Sequence, residues 1–372
     1  MDAVGMIFAN IHDELLPELT VKRTLASVPF GGRYRIIDFP LSSMVNSGIF
    51  KVGVATRANY QSLMDHLEGG KDWDLARRTG GLYLLPPHSF NQSGNSHANR
   101  LDALSSSINF INRSEEEYVL LCDGDCVFNM DFNEMFNYHI AKGNDITLAY
   151  KEMYFDKALA SHKSCLEVDA NDNVTGLLVH RMEEGRALAN LNIIILKREL
   201  LIRLINNAVS RGQRDFQHDI IGKNIKHLKI GGFRYEGLFY FIDSLPRYFS
   251  ANMSLLDRGV NNAFFGAPYR PVYTKVKDSA PTKFFKQAKV LNSRIADGCE
   301  IRGVVENCLL FRDVIISDGA VLKNCIVMQN GFIGENCVME YCLLDKNVVV
   351  GKDNVLRGSY NLPYVISKGL KV

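Results

Sequence analysis

The sequence predicts an α/β protein in two parts: an N-terminal domain on a mixed, mostly parallel sheet, and a C-terminal parallel β-helix. Three observations carry this. Up to about residue 265, short apolar runs alternate with helical patterns, as strands and their covering helices do. Towards the C-terminus, isoleucine or valine recurs about every six residues, with small, polar and turn-forming residues between. Such a hexad period marks a β-helix, whose inward aliphatics stack coil on coil. Between the two regions, Gly266, Pro268, Pro271 and Pro281 punctuate an extended polar stretch. The boundaries read as 1–265, a linker over 266–285, and 286–372.

Taken in order, Val4–Phe8 is the first strand. Lys51–Thr56 is the second, after the turn Asn46-Ser47-Gly48. Tyr118–Cys122 and Asp145–Tyr150 follow. Between them, Gln61–Leu67 and Leu101–Ile111 carry apolar residues three to four apart, a helical spacing. The segment from Cys165 places the turn Asn171-Asp172-Asn173 between two strands and reads as a hairpin. Asn192–Leu196 returns as another buried strand. In the C-terminal part the units Ile295–Ile301, Ile316–Val321, Ile333–Val338 and Val350–Val355 share one internal logic. An antiparallel sheet would show period two instead.

Composition excludes several classes. A net charge of +2 with no Lys/Arg run gives no reason to expect nucleic acid. No apolar run approaches the ~18–20 residues of a membrane span. Asp2 leads straight into a strand pattern, unlike a signal peptide. Eight cysteines form no CxxC pair and no zinc-spaced Cys/His cluster, so buried reduced thiols in a cytoplasmic protein are expected. Acyl transfer on the β-helix would want a histidine base, and the last histidine is His227, before the repeats. The repeats therefore read as structural, an oligomerisation or partner surface.

The junction after the first strand is the most telling segment. Phe8 to Thr20 reads FANIHDELLPELT. In a nucleotide-binding α/β domain this turn carries glycines, which let backbone N–H groups approach phosphates. Here stand Asn10, Ile11, Asp13 and Glu14. Two carboxylates take the place of phosphate-binding backbone.

Downstream, VPFGGRYRIIDFPLSSMVNSGI (28–49), NYQSLMDHL (59–67), Leu121-Cys122-Asp123-Gly124-Asp125, Phe239-Tyr240-Phe241-Ile242-Asp243 and the stretch from Tyr248 resemble the ADP-glucose pyrophosphorylases. The resemblance spans nearly the whole chain. It implies a Rossmann-like nucleotidyltransferase domain followed by a left-handed β-helix of hexapeptide repeats. It also implies a tetrameric, magnesium-using enzyme that joins glucose-1-phosphate to ATP, giving ADP-glucose for glycogen and releasing pyrophosphate. Asp125 and Asp243 fall where the family has its metal aspartates. For Asp125, physics agrees: the C-terminal end of a parallel strand suits a metal ligand.

The departures gather at the chemistry. The family loop G-G-x-G-x-R has Asn10, Ile11, Asp13 and Leu15 in place of its glycines and arginine. R-A-K-P becomes Arg23-Thr24-Leu25-Ala26, without the lysine. G-T-A-D-A keeps only Asp102 and Ala103. E-K-P becomes Val179-His180-Arg181, and D-V-G-T becomes Asp243-Ser244-Leu245-Pro246. Nucleotidyl transfer depends on positioning and on neutralising phosphate charge, so these losses predict little or no turnover. Losing the site while keeping the fold resembles the non-catalytic regulatory subunit of bacterial ADP-glucose pyrophosphorylase. That role implies a catalytic paralogue as partner in a heterotetramer, magnesium used by the partner, and no cofactor held by this chain.

Asp125, Asp243 and Asp102 are thus vestigial family positions, the first two as metal candidates. Lys22, Arg23, Arg33 and Arg35 cluster around a Gly-Gly turn. Guanidinium groups suit phosphate esters, so these four are candidates for a phosphorylated effector, against the alternative of ion pairs with acids such as Asp38. Trp73, Tyr83 and Leu84 read as an ordered loop over the cleft. Two other functions stay open: a divergent active sugar-1-phosphate nucleotidyltransferase, and a stand-alone sugar-phosphate or effector scaffold.

Overall fold

Val4, Met6 and Phe8 face one side of the first strand and Ala3 and Ile7 the other, and each side feeds its own apolar cluster. A strand buried on both faces reads as a continuous apolar run, as the sequence does here. In the computed structural model, which describes residues 1–86, 99–157, 159, 163–179 and 183–372, this strand is β1 (Ala3–Phe8). A small hairpin, β2 (Pro29–Phe30) and β3 (Tyr34–Arg35), follows. Then come β4 (Lys51–Ala55), β5 (Gly81–Leu85), β6 (Tyr118–Asp123) and β7 (Cys126–Phe128). The rest of the domain holds β8 (Ile146–Phe155), β9 (Cys165–Val168), β10 (Val174–Leu178), β11 (Gly185–Lys197), β12 (Ile230–Arg234) and β13 (Phe239–Phe241).

The main sheet runs β10-β9-β11-β6-β1-β4-β5, with β8 pairing both β11 and β12. Its centre, β6-β1-β4-β5, is parallel. β11 runs antiparallel to β6, β8 and β9, which makes the sheet mixed. The expected hairpin is β9–β10. The expected helix Leu101–Ile111 is two helices, Arg100–Ser106 and Ile108–Asn112. Ser107 breaks it with φ −95 and ψ 7, and its N–H closes the first helix on Ala103 and Leu104. Trp73 is a core side chain, edge-on to His66 at 5.5 Å, and Tyr83 lies on β5 against Phe110. All eight cysteines are buried, and none is in a disulfide among the described residues. Among the described residues no helix is long and apolar enough to cross a membrane.

The C-terminal part is a parallel β-helix from β14 (Lys283–Phe284) to β28 (Tyr364–Ile366), with three five-stranded sheets as its faces. Its first strand falls within the stretch 266–285 read as linker. Half of the aliphatics that bound the hexad units point inward: Ile301, Ile316, Ile333 and Val350 are fully buried and stack in register along one face. Ile295, Val321 and Val338 are only partly buried and Val355 is exposed; Leu322 and Met339, next to Val321 and Val338, fill the core instead. Corners use asparagine in the left-handed region, where its short polar side chain is tolerated. Asn330 and Asn347, at φ 58 and 60, bond through their side chains between coils at 2.9 Å.

The two domains share a core. Phe30, Ile36, Phe39, Tyr248 and Phe249 pack with Leu309, Phe311, Ile326, Met328 and Leu343 of the β-helix. Gly31 and Gly32 have φ 61 and 90, a region that favours glycine, and they turn the β2–β3 hairpin into this seam. The segment FGGRYRIIDFPLS, nearly intact by resemblance, is therefore also the seat of the β-helix. The extended chain before β14 lies along the first domain. Pro271 O accepts from Asn46, Tyr273 N donates to Ser42 Oγ, and Lys275 pairs with Glu68.

Candidate functional site

The loop after β1 is filled by its own side chains. Asp13 Oδ1 accepts the Leu25 N–H at 2.7 Å, and Oδ2 accepts the Asn10 amide at 2.6 Å. Asn10 in turn donates to Ala58 O and accepts from Arg57 N. Thr20 donates to Asp13 O. The Asp13 carboxyl thus braces the loop from within, while Glu14 is exposed. Burial pushes the Asp13 pKa up to about 6, although the Leu25 N–H and the Asn10 amide favour its anion. A phosphate at this turn would have to displace a carboxylate that already holds a backbone donor.

Three carboxylates converge beyond the strand ends. Asp123 closes β6, Asp125 lies between β6 and β7, and Asp243 follows β13. Ile242 N donates to Asp125 O at 2.9 Å, which stitches the last two together. Each acid meets a cation of the chain. Arg100 bonds Asp123, which also accepts from Asn192 at 2.8 Å. Lys163 Nζ and His12 Nδ1 lie 3.2 and 2.7 Å from Asp125 Oδ2. Arg247 Nη1 lies 2.8 Å from Asp243 and also reaches Asp156. Burial alone would raise the Asp125 pKa, but Lys163 and then His12 outweigh it and hold the carboxyl well below the usual range. Burial works against the Lys163 charge, and Asp125 above all keeps it protonated.

Asp125 and Asp243 are therefore brought together, whereas Asp102 is exposed in the first turn of Arg100–Ser106, capped by Asn99. Of the triplet Val179-His180-Arg181, positions 180 and 181 lie outside the described residues. Sequence reasoning missed Lys163, His12, Arg100 and Arg247. Only Arg247, four residues after Asp243 and in the first turn of the helix Leu245–Ser254 that follows it, carried a local signal. His12, Asp123 and Asp125 offer ligand atoms within 4.8 Å of one another. They do not fit a hard dication. Magnesium wants near-octahedral oxygen ligands, and here an ammonium and an imidazole already occupy Asp125 while Arg100 and Asn192 occupy Asp123.

A second cluster lines the seam. Arg23 is buried and pairs with Asp345 of the β-helix, its Nε donating to Leu19 O. Arg35 donates to Ser62, and Asp38 accepts the Arg35 N–H and bonds His66 at 2.6 Å. Arg33 pairs loosely with Asp297 at 3.3 Å, half exposed. Lys22 is exposed. Residues that the sequence did not single out join the rest: Lys277, Arg312 and Lys346, none in an ion pair among the described residues. Among the described residues the buried Arg312 Nε has no hydrogen-bond partner. Burial drives the Lys346 pKa down to about 6, with Arg35 and Arg23 adding to it, and the Arg35 pKa down to about 10 despite Asp38.

A parallel-centred α/β sheet with acidic strand ends, joined to a hexapeptide β-helix, defines a nucleotidyltransferase-type protein. The signature of the nucleotidyl transferase family matches residues 14–178, and that of the GlmU-like C-terminal hexapeptide matches residues 280–357. The chain is 40% identical to the glycogen biosynthesis protein GlgD of Geobacillus stearothermophilus over 366 residues, 98% of this chain and 96% of that one. It is 34% identical to GlgD of Bacillus subtilis, covering 86% and 82%. It is 33% identical to the glucose-1-phosphate adenylyltransferase of Geobacillus stearothermophilus, again covering 86% and 82%. This chain belongs to the glucose-1-phosphate adenylyltransferase, or ADP-glucose pyrophosphorylase, family, on the GlgD-like side.

Proposed function

We propose that this chain is the regulatory, catalytically deficient subunit of a glucose-1-phosphate adenylyltransferase in glycogen synthesis, acting on a catalytic paralogue in a cytoplasmic heterotetramer. The observation that carries the reading is the loop after β1, where Asp13 and Asn10 occupy the turn a nucleotide would use. One organism among the relatives, Geobacillus stearothermophilus, has both a GlgD and a separate adenylyltransferase, and this chain is similar to each. Magnesium belongs with the catalytic partner. The test is ADP-glucose synthesis by this chain alone, by an intact paralogue alone and by the two co-expressed. The expected result is background alone and a changed rate or effector response in the mixture. Robust turnover alone would favour a divergent enzyme, and no effect in the mixture a stand-alone scaffold.

The seam is where a phosphorylated effector would act in this reading. Arg33, Arg35, Lys277 and Arg312 offer unneutralised or weakly paired charge, and Lys346 a buried amine that an anion would protonate; Arg23 is committed to Asp345. An anion there favours the charged form of Lys346, so binding takes up a proton between about 6 and the ordinary lysine value of 10.5. Affinity for a phosphorylated metabolite should therefore strengthen as pH falls through that window. Calorimetry in buffers of different ionisation heat would read the proton, and Lys346→Met should abolish the uptake. The same shift acts on stability in the unbound protein. The unfolded state binds the extra proton, so stability falls as pH drops from 10.5 to about 6.

A further inference from the structure

Lys163 is an unusual side chain for its place. Its ammonium is 1% exposed, lies 3.2 Å from Asp125 Oδ2 and 4.6 Å over the Phe241 ring. Asp243 and Asp123 are close enough to act on it electrostatically. Both Asp125 oxygens are engaged: Oδ2 by Lys163 and His12, Oδ1 by the Cys126 thiol at 3.2 Å. Asp243 Oδ1 is held by Arg247, while its Oδ2 is buried with no hydrogen-bond partner among the described residues. A buried ammonium persists only where acids answer it, and buried acids at converging strand ends need a cation. Here one group meets both needs.

We propose that the Lys163 ammonium, seconded by His12, is a built-in counter-ion that stands in place of a divalent metal between Asp125 and Asp243. The cleft then keeps its closed arrangement without a metal and excludes divalent cations by charge. A lysine differs from a metal in one consequential way: it cannot be withdrawn by chelation or dilution. The carboxylates stay neutralised, and the strand ends stay tied, whatever the magnesium level. This inference concerns only the isolated chain and does not depend on its acting as a regulatory subunit.

The test is Mn2+ binding to the full chain, followed by electron paramagnetic resonance, together with melting temperature with and without Mn2+. Wild type is expected to show no Mn2+ binding that Asp125→Asn removes, and no change in melting. Lys163→Met should melt lower, bind one Mn2+ at least ~10-fold more tightly than wild type as a full repelling charge is lost, and be restabilised by it. The double variant Lys163→Met/Asp125→Asn should lose that site, and Lys163→Arg, which keeps the charge, should stay closed to Mn2+. A wild-type site that Asp125→Asn abolishes overturns the proposal, even if Lys163→Met fails to fold. So does a folded Lys163→Met that gains no Mn2+. Because no arm reads turnover or a partner, failure here leaves the regulatory reading standing.

Discussion

Asp345→Ala is expected to lower the stability of the protein by roughly 3–5 kcal/mol, the cost of leaving a buried cation unpaired. Arg23 and Asp345 side chains are 4% and 3% exposed, so water cannot replace the lost partner. The pair joins the chain after the first loop to the β-helix, across 322 residues of sequence. Around it lies the shared apolar cluster of Leu16, Leu19, Phe30, Tyr248 and Leu343. Tyr248 donates to Pro29 O at 2.5 Å within the same layer. Losing the pair therefore loosens the seam first, and the β-helix should detach at lower denaturant than the rest. Urea unfolding followed by separate probes in each domain would show the split. Arg23→Met with Asp345→Leu should cost much less than Asp345→Ala alone, since a volume-matched apolar pair leaves no charge behind. An unchanged midpoint for Asp345→Ala would mean that Arg23 finds another acid or reaches solvent.

Rebuilding the nucleotide loop is expected to leave synthesis of ADP-glucose at background. The variant would carry Asn10→Gly, Ile11→Gly, Asp13→Gly and Leu15→Arg. Leu25 would be kept, because its side chain is buried with Leu16, Leu19 and Val28, and a lysine there would itself be buried. The glycines free the Leu25 N–H from Asp13 and open the turn, so nucleotide affinity should rise. Rate should not follow. Losing one charge-stabilising donor commonly costs ~10²–10³ in rate. The strand-end acids would still be held by Lys163, His12 and Arg247, and the lysine of the family pattern would still be missing. The rebuilt chain should thus remain at least ~10²–10³ below an intact relative. Nucleotide binding by calorimetry and product formation by chromatography separate the two steps. Turnover near that of an intact relative would show that the loop was the whole defect.

The two experiments probe different parts of the same change. The cleft is internally neutralised: its three carboxylates are answered by Arg100, Lys163 and Arg247. The seam is cationic, with Lys277 and Arg312 outside any ion pair among the described residues and Lys346 ready to take up a proton. An anion drawn to this molecule has a weakly neutralised surface at the seam and a self-satisfied one at the cleft.

Strands such as Ala3–Phe8 and Lys51–Ala55, and the hexads of the β-helix, were legible because their signals are local. Side-chain alternation and a six-residue period are properties of neighbours in sequence. The absence of glycine from the loop after β1 was legible for the same reason, since it is a property of one short segment. Asp125 could be named from its place at the end of a parallel strand as well as from the resemblance, Asp243 from the resemblance alone. The break at Ser107 was not legible, because the apolar spacing continues through it while the backbone turns.

What holds those acids came from far along the chain. Lys163 reaches Asp125 across 38 residues and His12 across 113, from segments with no motif of their own. The basic residues around Gly31 and Gly32 looked like one patch in sequence. Folding instead ties Arg23 to Asp345, leaves Lys22 in solvent and adds Arg312 and Lys346 from the β-helix. Amino-acid order dictates period, turn chemistry and a first loop without glycine, because each rests on bonds and sterics within a few residues. Which charge neutralises which depends on separations of a few ångströms and on burial, and both exist only once distant segments have packed.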